Sequence, residues 1–511
     1  MFKRLVKNTT IVSAGTLCSR ILGLVRDIFI AKYFGTSKIL EAFIVAFRLP
    51  NILRSLFAEG FSDAVATPVL SEYHKDRVQL SRVGGRLFSV FLVLMGVVTA
   101  LGIILTRWLV LGIAPGFLKD PQQLELAMTF TKITFFYLFF IGLVAVINSI
   151  LYALKKFAFP SFLPMLFNIS LICGIIFFKQ YFHNYILVIS VLAAGFLQFI
   201  FAFLYLGRSG VRFKINFVQS FRDSEIVRMA KLFVPRVWSS IVYHLNVFID
   251  TIFSSLSWIV GEGALAAVYY ANRIVQLPLA LIGISISQVA IVDLSGFHKD
   301  NNMKDFKELL MFSLQNILFF IIPIMCVLLF MSGELLDILF YRGDFDAHSL
   351  HITSSTLFFY SLGIFFFCGI KLLVNAFYAL KDTFTPAKTS AFALILNAAL
   401  SATLMFPLKI GGVALASSIA AMVNYFLLYK LLIRRIGPIN WDGIRGDILK
   451  LIILGGLAGL LLKVIWLVLP YNKYIKLFVG VVLSGSVFLV VGNILKLERV
   501  IYFNRWILRK L

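Results

Sequence analysis

The feature that limits this chain most is a succession of apolar runs, each about 20 residues long and bounded by charge, Pro or Gly. Twenty helical residues rise about 30 Å, the thickness of a bilayer's hydrocarbon core, and in lipid only helices and closed barrels satisfy their own backbone. About fourteen such runs fit between residues 9 and 496. With 60% hydrophobic and 14% charged residues, the composition lies far from that of a soluble domain. The expected fold class is an all-α polytopic membrane protein with about fourteen transmembrane helices.

A net charge of +24 would suggest a nucleic-acid partner in a soluble protein, but its placement excludes that reading. Basic residues gather in every second loop: Arg77, Arg82 and Arg86, then Lys155 and Lys156, then Arg208 to Lys231, then Lys299, Lys304 and Lys307, then Lys381, and finally Arg434 to Lys450. The loop at 333–346 is acidic instead, with Glu334, Asp337, Asp344 and Asp346 against Arg342. By the positive-inside rule both termini are cytoplasmic. Nothing resembles a cleavable signal, because Arg20, Arg26 and Asp27 interrupt the first apolar stretch. Cys18, Cys173, Cys326 and Cys368 sit inside apolar runs without metal-ligand spacing and read as small apolar residues.

Residues 19–60 depart from the apolar pattern. Arg20, Arg26, Asp27, Glu41, Arg48, Arg54 and Glu59 stand among Ile, Leu, Phe, Val and Ala. Each charge would cost about 2.5–3.5 kcal/mol at the centre of a lipid-facing helix, so these side chains face protein or a watery cavity. Arg20 and Asp27, two helical turns apart, share a face, with Arg26 at its edge. Arg48 and Arg54 lie on the next span with Pro50 between them, where a kink is expected. Several arginines with fewer carboxylates suit phosphate, whose oxygens match the guanidinium fork. The plainer role for the same arginines is to tie helices together through Asp27, Glu41 or Glu59.

The chain also repeats itself. LSEYHKD at 70–76 returns as LSGFHKD at 294–300, and LYALK at 151–155 returns as FYALK at 377–381. Asp27 and Asp250 are 223 apart, and Arg48 and Arg273 are 225 apart. A common offset implies two homologous six-helix lobes, 1–210 and 228–436, then an additional helix pair at 445–496 and a basic tail at 497–511. Six spans per copy keep one orientation, so the expected symmetry is a pseudo-two-fold along the membrane normal, with a substrate site between lobes. Asp250, an isolated carboxylate in an apolar span, points to ion or proton coupling. His244, on another face of that helix, reads as a packed histidine, and the tail after Lys496 as an amphipathic surface helix.

The segments SRILGLVRD, EAFIVAFRLPNILRSLFAEG, YYANRIVQLP, YRGDF and FYALKDTFTP resemble the MurJ (MviN) family of lipid II flippases, in the multidrug/oligosaccharidyl-lipid/polysaccharide exporter superfamily. The resemblance spans essentially the whole chain. It implies a bacterial inner-membrane protein that moves lipid II, the lipid-linked peptidoglycan precursor, from the cytoplasmic to the periplasmic leaflet by alternating access, for cell wall synthesis. It further implies that Arg20, Arg26, Arg54 and Arg273 line the cavity with Asp27, and that Glu41 stands where the family usually has Asp. One member binds sodium, and its ligands correspond here to Asp250, Asn397 and Ser417; a further carboxylate is replaced by Ser401, so sodium dependence is expected to be weak or absent. The family's YADR stands here as YANR, with Asn272 beside Arg273.

No Ser/His/Asp set, metal spacing, Walker loop or nucleotide signature occurs, so neither enzyme chemistry nor a cofactor is expected. Energy then comes from sodium or proton coupling, or from membrane potential alone. Three other functions compete: export of another polyprenyl-pyrophosphate-linked oligosaccharide or of drugs, an embedded isoprenoid-phosphate enzyme, and a scaffold. The arginines argue against a cationic-drug pump, the lack of a catalytic cluster against the enzyme, and the buried charges against the scaffold. The expected partners are lipid II, membrane lipids and the cell-wall synthesis machinery, with a monomeric chain.

Overall fold

In a computed structural model the backbone is described over residues 2–211, 213, 215–439, 444–497 and 499–501, and side chains over the same ranges except 2–13, 58–59, 63, 218, 234–246 and 444–445. The expectations for Glu59, for His244 and for the tail beyond Ile501 therefore fall outside the described residues.

Among the described residues the chain is helical throughout, with no strand. The first helices are α1 (Phe2–Phe34), α2 (Lys38–Ser55), α3 (Thr67–Glu72), α4 (Arg77–Ile104), α5 (Thr106–Ile113), α6 (Pro121–Ala153), α7 (Ala158–Cys173), α8 (Lys179–Phe182), α9 (Ile186–Arg208), α10 (Phe217–Ser220) and α11 (Ser224–Ser254). They continue as α12 (Ser257–Val260), α13 (Ala264–Pro278), α14 (Ser285–Lys299), α15 (Met303–Leu339), α16 (Ala347–Ser361), α17 (Ile364–Ala379), α18 (Phe384–Ile436), α19 (Ile444–Val468) and α20 (Lys473–Ile494). Three stretches wind more widely as π-helix: Leu56–Ala66 between α2 and α3, Gly174–Phe178 after α7, and Leu279–Ile284 between α13 and α14. The departure from α geometry on the second span thus begins at Leu56, six residues after Pro50, which itself lies buried inside α2.

Eight stretches among the described residues are long and apolar enough to cross a bilayer, or nine if the bent pair α16–α17 counts as one. Two of them, 158–208 with 51 residues and 384–436 with 53, are each more than twice the ~20 residues that one crossing needs. Inside α18 the helix breaks at Lys409, whose φ of 50° lies in the left-handed region, at the boundary expected between the runs ending at Pro407 and starting at Gly411.

Packing divides the helices into two compact units, Met1–Leu256 with Arg342–Asp344, and Ser257–Tyr341 with Phe345–Leu511. In the first, α6 is central and carries α2, α4 and α9 against it. Its core joins Phe57 and Phe61 of the π stretch to Leu87 and Phe91 of α4 and to Ile147 and Ile150 of α6. Helix α11 contacts the same π stretch, α4 and α5. In the second unit α15 plays the central part, against α14, α16, α17 and α19. There Leu318, Phe319, Ile322 and Cys326 pack on Leu451, Leu454 and Ala458 of α19 and Phe488 of α20. Ion pairs of Lys463 with Glu334, and of Lys473 with Asp337 at 3.3 Å, fasten the last helix pair to the end of α15.

The repeated LYALK and FYALK motifs end their helices alike. Lys155 and Lys381 both adopt φ of 59°, and the following turn closes back on the helix through Lys156 N donating to Leu151 O at 2.8 Å and Asp382 N donating to Phe377 O at 2.9 Å. This is the left-handed helix stop that glycine makes without a Cβ penalty. Lys381→Gly should therefore raise the melting temperature of the detergent-solubilised protein, by the equivalent of up to about 1 kcal/mol. A lowered melting temperature would show that the lysine side chain contributes more than its backbone costs.

Asp120 starts α6 by accepting from Gln123 N at 3.1 Å and pairs with Lys38 Nζ at 2.7 Å. The Lys38 hydrogen bond and then the Gln123 amide hold its carboxyl below the ordinary Asp value. A depressed folded-state value adds stability above the unfolded pKa of about 3.9 and loses it as pH falls through the folded value. Asp120→Ala should cost about 1 kcal/mol at pH 7, and the gap to the parent in thermal melts should close as pH drops below about 4.

Candidate functional site

Arg26 and Asp27 of the first span sit where α1 lies close against α7. A Cβ on Gly15 would stand 2.8 Å from the Ser161 carbonyl oxygen, so only glycine lets the two helices approach to this distance. About three turns further along α1, Arg26 and Asp27 are buried, 8% and 2% exposed. Arg26 Nε and Nη2 both donate to Asp27 Oδ1, at 3.0 and 2.7 Å, and Nη1 donates to Asn168 Oδ1 of α7 at 2.9 Å. Asn168 in turn donates from Nδ2 to Ser19 O at 3.0 Å, which fixes the amide and its oxygen. The guanidinium carbon lies 5.6 Å from the centroid of the Phe167 ring.

Phe167 stacks on Phe47 of α2 at 5.6 Å, and both rings touch Tyr137 of α6, at 5.8 and 5.7 Å. Four helices thus converge on one buried guanidinium. Arg54, half-buried at the end of α2, donates from Nε to Asn51 Oδ1 at 3.1 Å. Both Arg54 and Arg26 lie close enough to Tyr137 to act electrostatically on its hydroxyl. Two cations and one carboxylate therefore share an apolar surround, an arrangement that favours a further anion over a cation.

The other expected residues are placed differently. Arg20 is exposed on α1, and Arg48 is half-buried on α2. Glu41 is buried at the opposite end of α2 from Arg54, about 20 Å away at 1.5 Å per residue, and accepts from Gln123 Nε2 at 3.0 Å. It keeps company with the Lys38–Asp120 pair rather than with the arginines near Tyr137.

Arg273, on α13 in the second unit, is half-buried and donates from Nη2 to Tyr269 OH at 3.2 Å, its guanidinium 4.8 Å from that ring. Asn397 and Ser417 come together on the two legs of α18. Ser417 Oγ and Ser401 Oγ each donate to Asn397 Oδ1 at 3.3 Å, and all three residues are buried. Asp250, half-buried near the end of α11, belongs to the first unit, and its main-chain oxygen accepts from Ser254 Oγ at 2.5 Å. Among the described residues no group of three or more His, Cys, Asp or Glu could hold a metal ion.

Sequence reasoning missed Asn168, Tyr137 and the Phe47–Phe167 stack. Asn168 was within reach of the argument that singled out Asp250, since it is a lone amide in the apolar run 158–179. The aromatic stack carries no such signal, because the chain has 53 phenylalanines and nothing in the sequence marks those two.

Comparison with known proteins agrees over nearly the whole chain. The family model for the lipid II flippase MurJ matches residues 30–482. The probable lipid II flippase MurJ of Buchnera aphidicola subsp. Acyrthosiphon pisum (strain APS) is 33% identical over 521 residues, covering 98% of this chain and 99% of that one. A solved structure of lipid II flippase MurJ in an inward closed conformation superposes with a TM-score of 0.78 at 26% identity, covering 96% of this chain and all of that one. An inward-facing multidrug-resistance MATE family transporter shares the fold, with a TM-score of 0.66 at 14% identity over 83% of this chain and 96% of that one. By its match across residues 30–482 and its full-length relatives, this chain belongs to the lipid II flippase MurJ family.

Proposed function

We propose that this protein carries lipid II from the cytoplasmic to the periplasmic leaflet of a bacterial inner membrane by alternating access, with both termini cytoplasmic. The observation that carries the reading beyond family membership is the Arg26 guanidinium, buried in an apolar surround, paired with the single carboxylate of Asp27 and with Arg54 nearby. A pyrophosphate brings the missing negative charge. Arg26 has five N–H donors, three of which are directed at Asp27 and Asn168. A phosphate oxygen arriving from the Arg54 side competes with Asp27 for the same donors, so Asp27 keeps the cation neutral while the cavity is empty. Arg20, exposed on α1, offers a first contact.

Transport of this kind breaks no covalent bond, and its driving force comes from the cargo's own charge. An anion carried outward across an inside-negative membrane gains about 2.3 kcal/mol per charge per 100 mV. Coupling to sodium is not needed on that account. The Asn397 oxygen, which a cation site would use, already accepts from two hydroxyls.

If Arg26 and Arg54 together hold the pyrophosphate, each Ala variant should bind lipid II tenfold to over a hundredfold more weakly, the equivalent of about 1.5–3 kcal/mol for a charge-assisted hydrogen bond. Lys at the same positions keeps the charge without the fork and should retain part of the activity. Lipid II affinity and membrane abundance measured side by side decide the matter. Unchanged affinity in both Ala variants at normal abundance would sink the clamp.

Asp250→Ala should slow turnover in reconstituted vesicles more than it weakens lipid II binding, because Asp250 stands on α11 rather than beside Arg26 and Arg54. Replacing sodium by potassium should leave the parent's transport rate nearly unchanged. A saturable sodium requirement would contradict this.

A further inference from the structure

The two longest π-wound stretches occupy matching places in the internal repeat. Leu56–Ala66 begins eight residues after Arg48, and Leu279–Ile284 begins six residues after Arg273, the residue paired with Arg48 by the repeat. Each stretch packs against the helix that ends in the repeated YALK motif, α6 for the first and α17 for the second. The second contact is close: a Cβ on Gly283 would come within 2.8 Å of Cys368 Sγ and 3.0 Å of its Cα.

The polar tethers match as well. Ser149 of α6 and Ser62 of the first π stretch share a hydroxyl–hydroxyl hydrogen bond of 2.7 Å, and Ser149 Oγ lies 3.5 Å from the Ser62 carbonyl oxygen. In the second unit Asn375 of α17 donates from Nδ2 to Ser287 O at 2.8 Å, just beyond the second π stretch. Ser287 stands 225 residues after Ser62, and Asn375 stands 226 after Ser149. The same pair of positions is therefore bonded in both copies, once by a hydroxyl and once by a longer amide. In π winding the hydrogen bonds run i→i+5, which leaves main-chain oxygens less well satisfied than in an α-helix. In the first copy Ser62 Oγ and Ser149 Oγ also both reach Ala145 O, at 3.0 and 2.9 Å, and in the second the amide meets a carbonyl three residues past the π winding, so each tether holds the chain at or just beyond its wide turn against the neighbouring helix.

We propose that Ser149 and Asn375 are positioning residues. Each stabilises the π winding of the second span in its copy, and so sets the rotation of the arginine-bearing helix, α2 with Arg54 or α13 with Arg273, relative to the segment beyond it, α3 or α14. Taking one residue out of a π turn restores i→i+4 bonding and rotates everything past it by about 100°, the angle per residue of an α-helix. A shift of that size carries an arginine from a cavity-facing to a helix-facing direction. The hinge itself stands on the repeat and the tethers; its effect on transport rests on the arginine reading above.

The test uses the full-length protein in proteoliposomes. Asn375→Leu and Ser149→Ala remove the donors at little change in volume, and Ser149→Thr keeps the hydroxyl. Nitroxide labels introduced one at a time over 286–295 report oxygen accessibility along α14, which in the parent should peak at positions 289 and 292, where both valines are 70% exposed. In the Asn375→Leu background the peaks should move by one residue. Lipid II transport should fall about tenfold in Asn375→Leu and Ser149→Ala at parent abundance, the scale of one lost hydrogen bond to a buried group, and Ser149→Thr should restore it. An unshifted pattern in Asn375→Leu overturns the proposal, and so does full transport in both donor-less variants. A shifted pattern alongside Arg26→Ala and Arg54→Ala variants that bind lipid II normally would retire the pyrophosphate clamp and leave the hinge standing.

Discussion

A guanidinium inside an apolar bundle has to be neutralised and hydrogen-bonded, and the first unit is arranged to do this for Arg26. Asp27, its neighbour in sequence, supplies the charge, but two adjacent residues point about 100° apart around a helix, so the pair alone does not set the direction of the guanidinium. Asn168 sets it from α7, and it can only do so because Gly15 lets α1 and α7 come together. The Phe47, Tyr137 and Phe167 rings then close the surround from α2, α6 and α7. Low polarity around the cation makes its attraction for an anion larger than it would be in water, which is what a transporter of a charged headgroup requires.

The same need to satisfy polar groups without water governs the irregular backbone. Three π-wound stretches and the left-handed break at Lys409 interrupt helices that would otherwise run the thickness of a membrane. Such interruptions persist where protein surrounds them, and here the neighbouring helices provide side-chain donors or close packing at Ser62, Ser287 and Gly283. Helices that are regular on either side of a short wide turn can rotate as rods. That makes the second span of each copy the natural place for motion in an alternating-access cycle.

In the second unit the polar groups are used for fastening. Asn397 accepts from hydroxyls on both legs of α18 and ties the hairpin across the break at Lys409. The final helix pair is held to α15 by the Lys463–Glu334 and Lys473–Asp337 pairs and by the apolar contact of Cys326 and Phe319 with α19 and α20. Cys326 is buried in this packing, Cys368 of α17 is buried beside Gly283, and Cys18 and Cys173 are half-buried in the other unit.

Apolar run length and composition were enough to establish a helical membrane protein, because an unsatisfied backbone in lipid excludes almost everything else. The repeat was legible too, and its LYALK and FYALK copies end their helices with the same left-handed lysine. Charges in apolar runs marked Arg26, Asp27 and Arg54 from their insertion cost alone. Which of them share a surround was not legible, since α2 is long enough to hold Glu41 about 20 Å from Arg54 although both belong to one charged run. Asn168, 142 residues from Arg26, enters only through the packing of α7 on α1. The π winding likewise has no residue signature of its own: it depends on how well main-chain oxygens are satisfied by neighbouring helices, and that is decided only once those helices have packed.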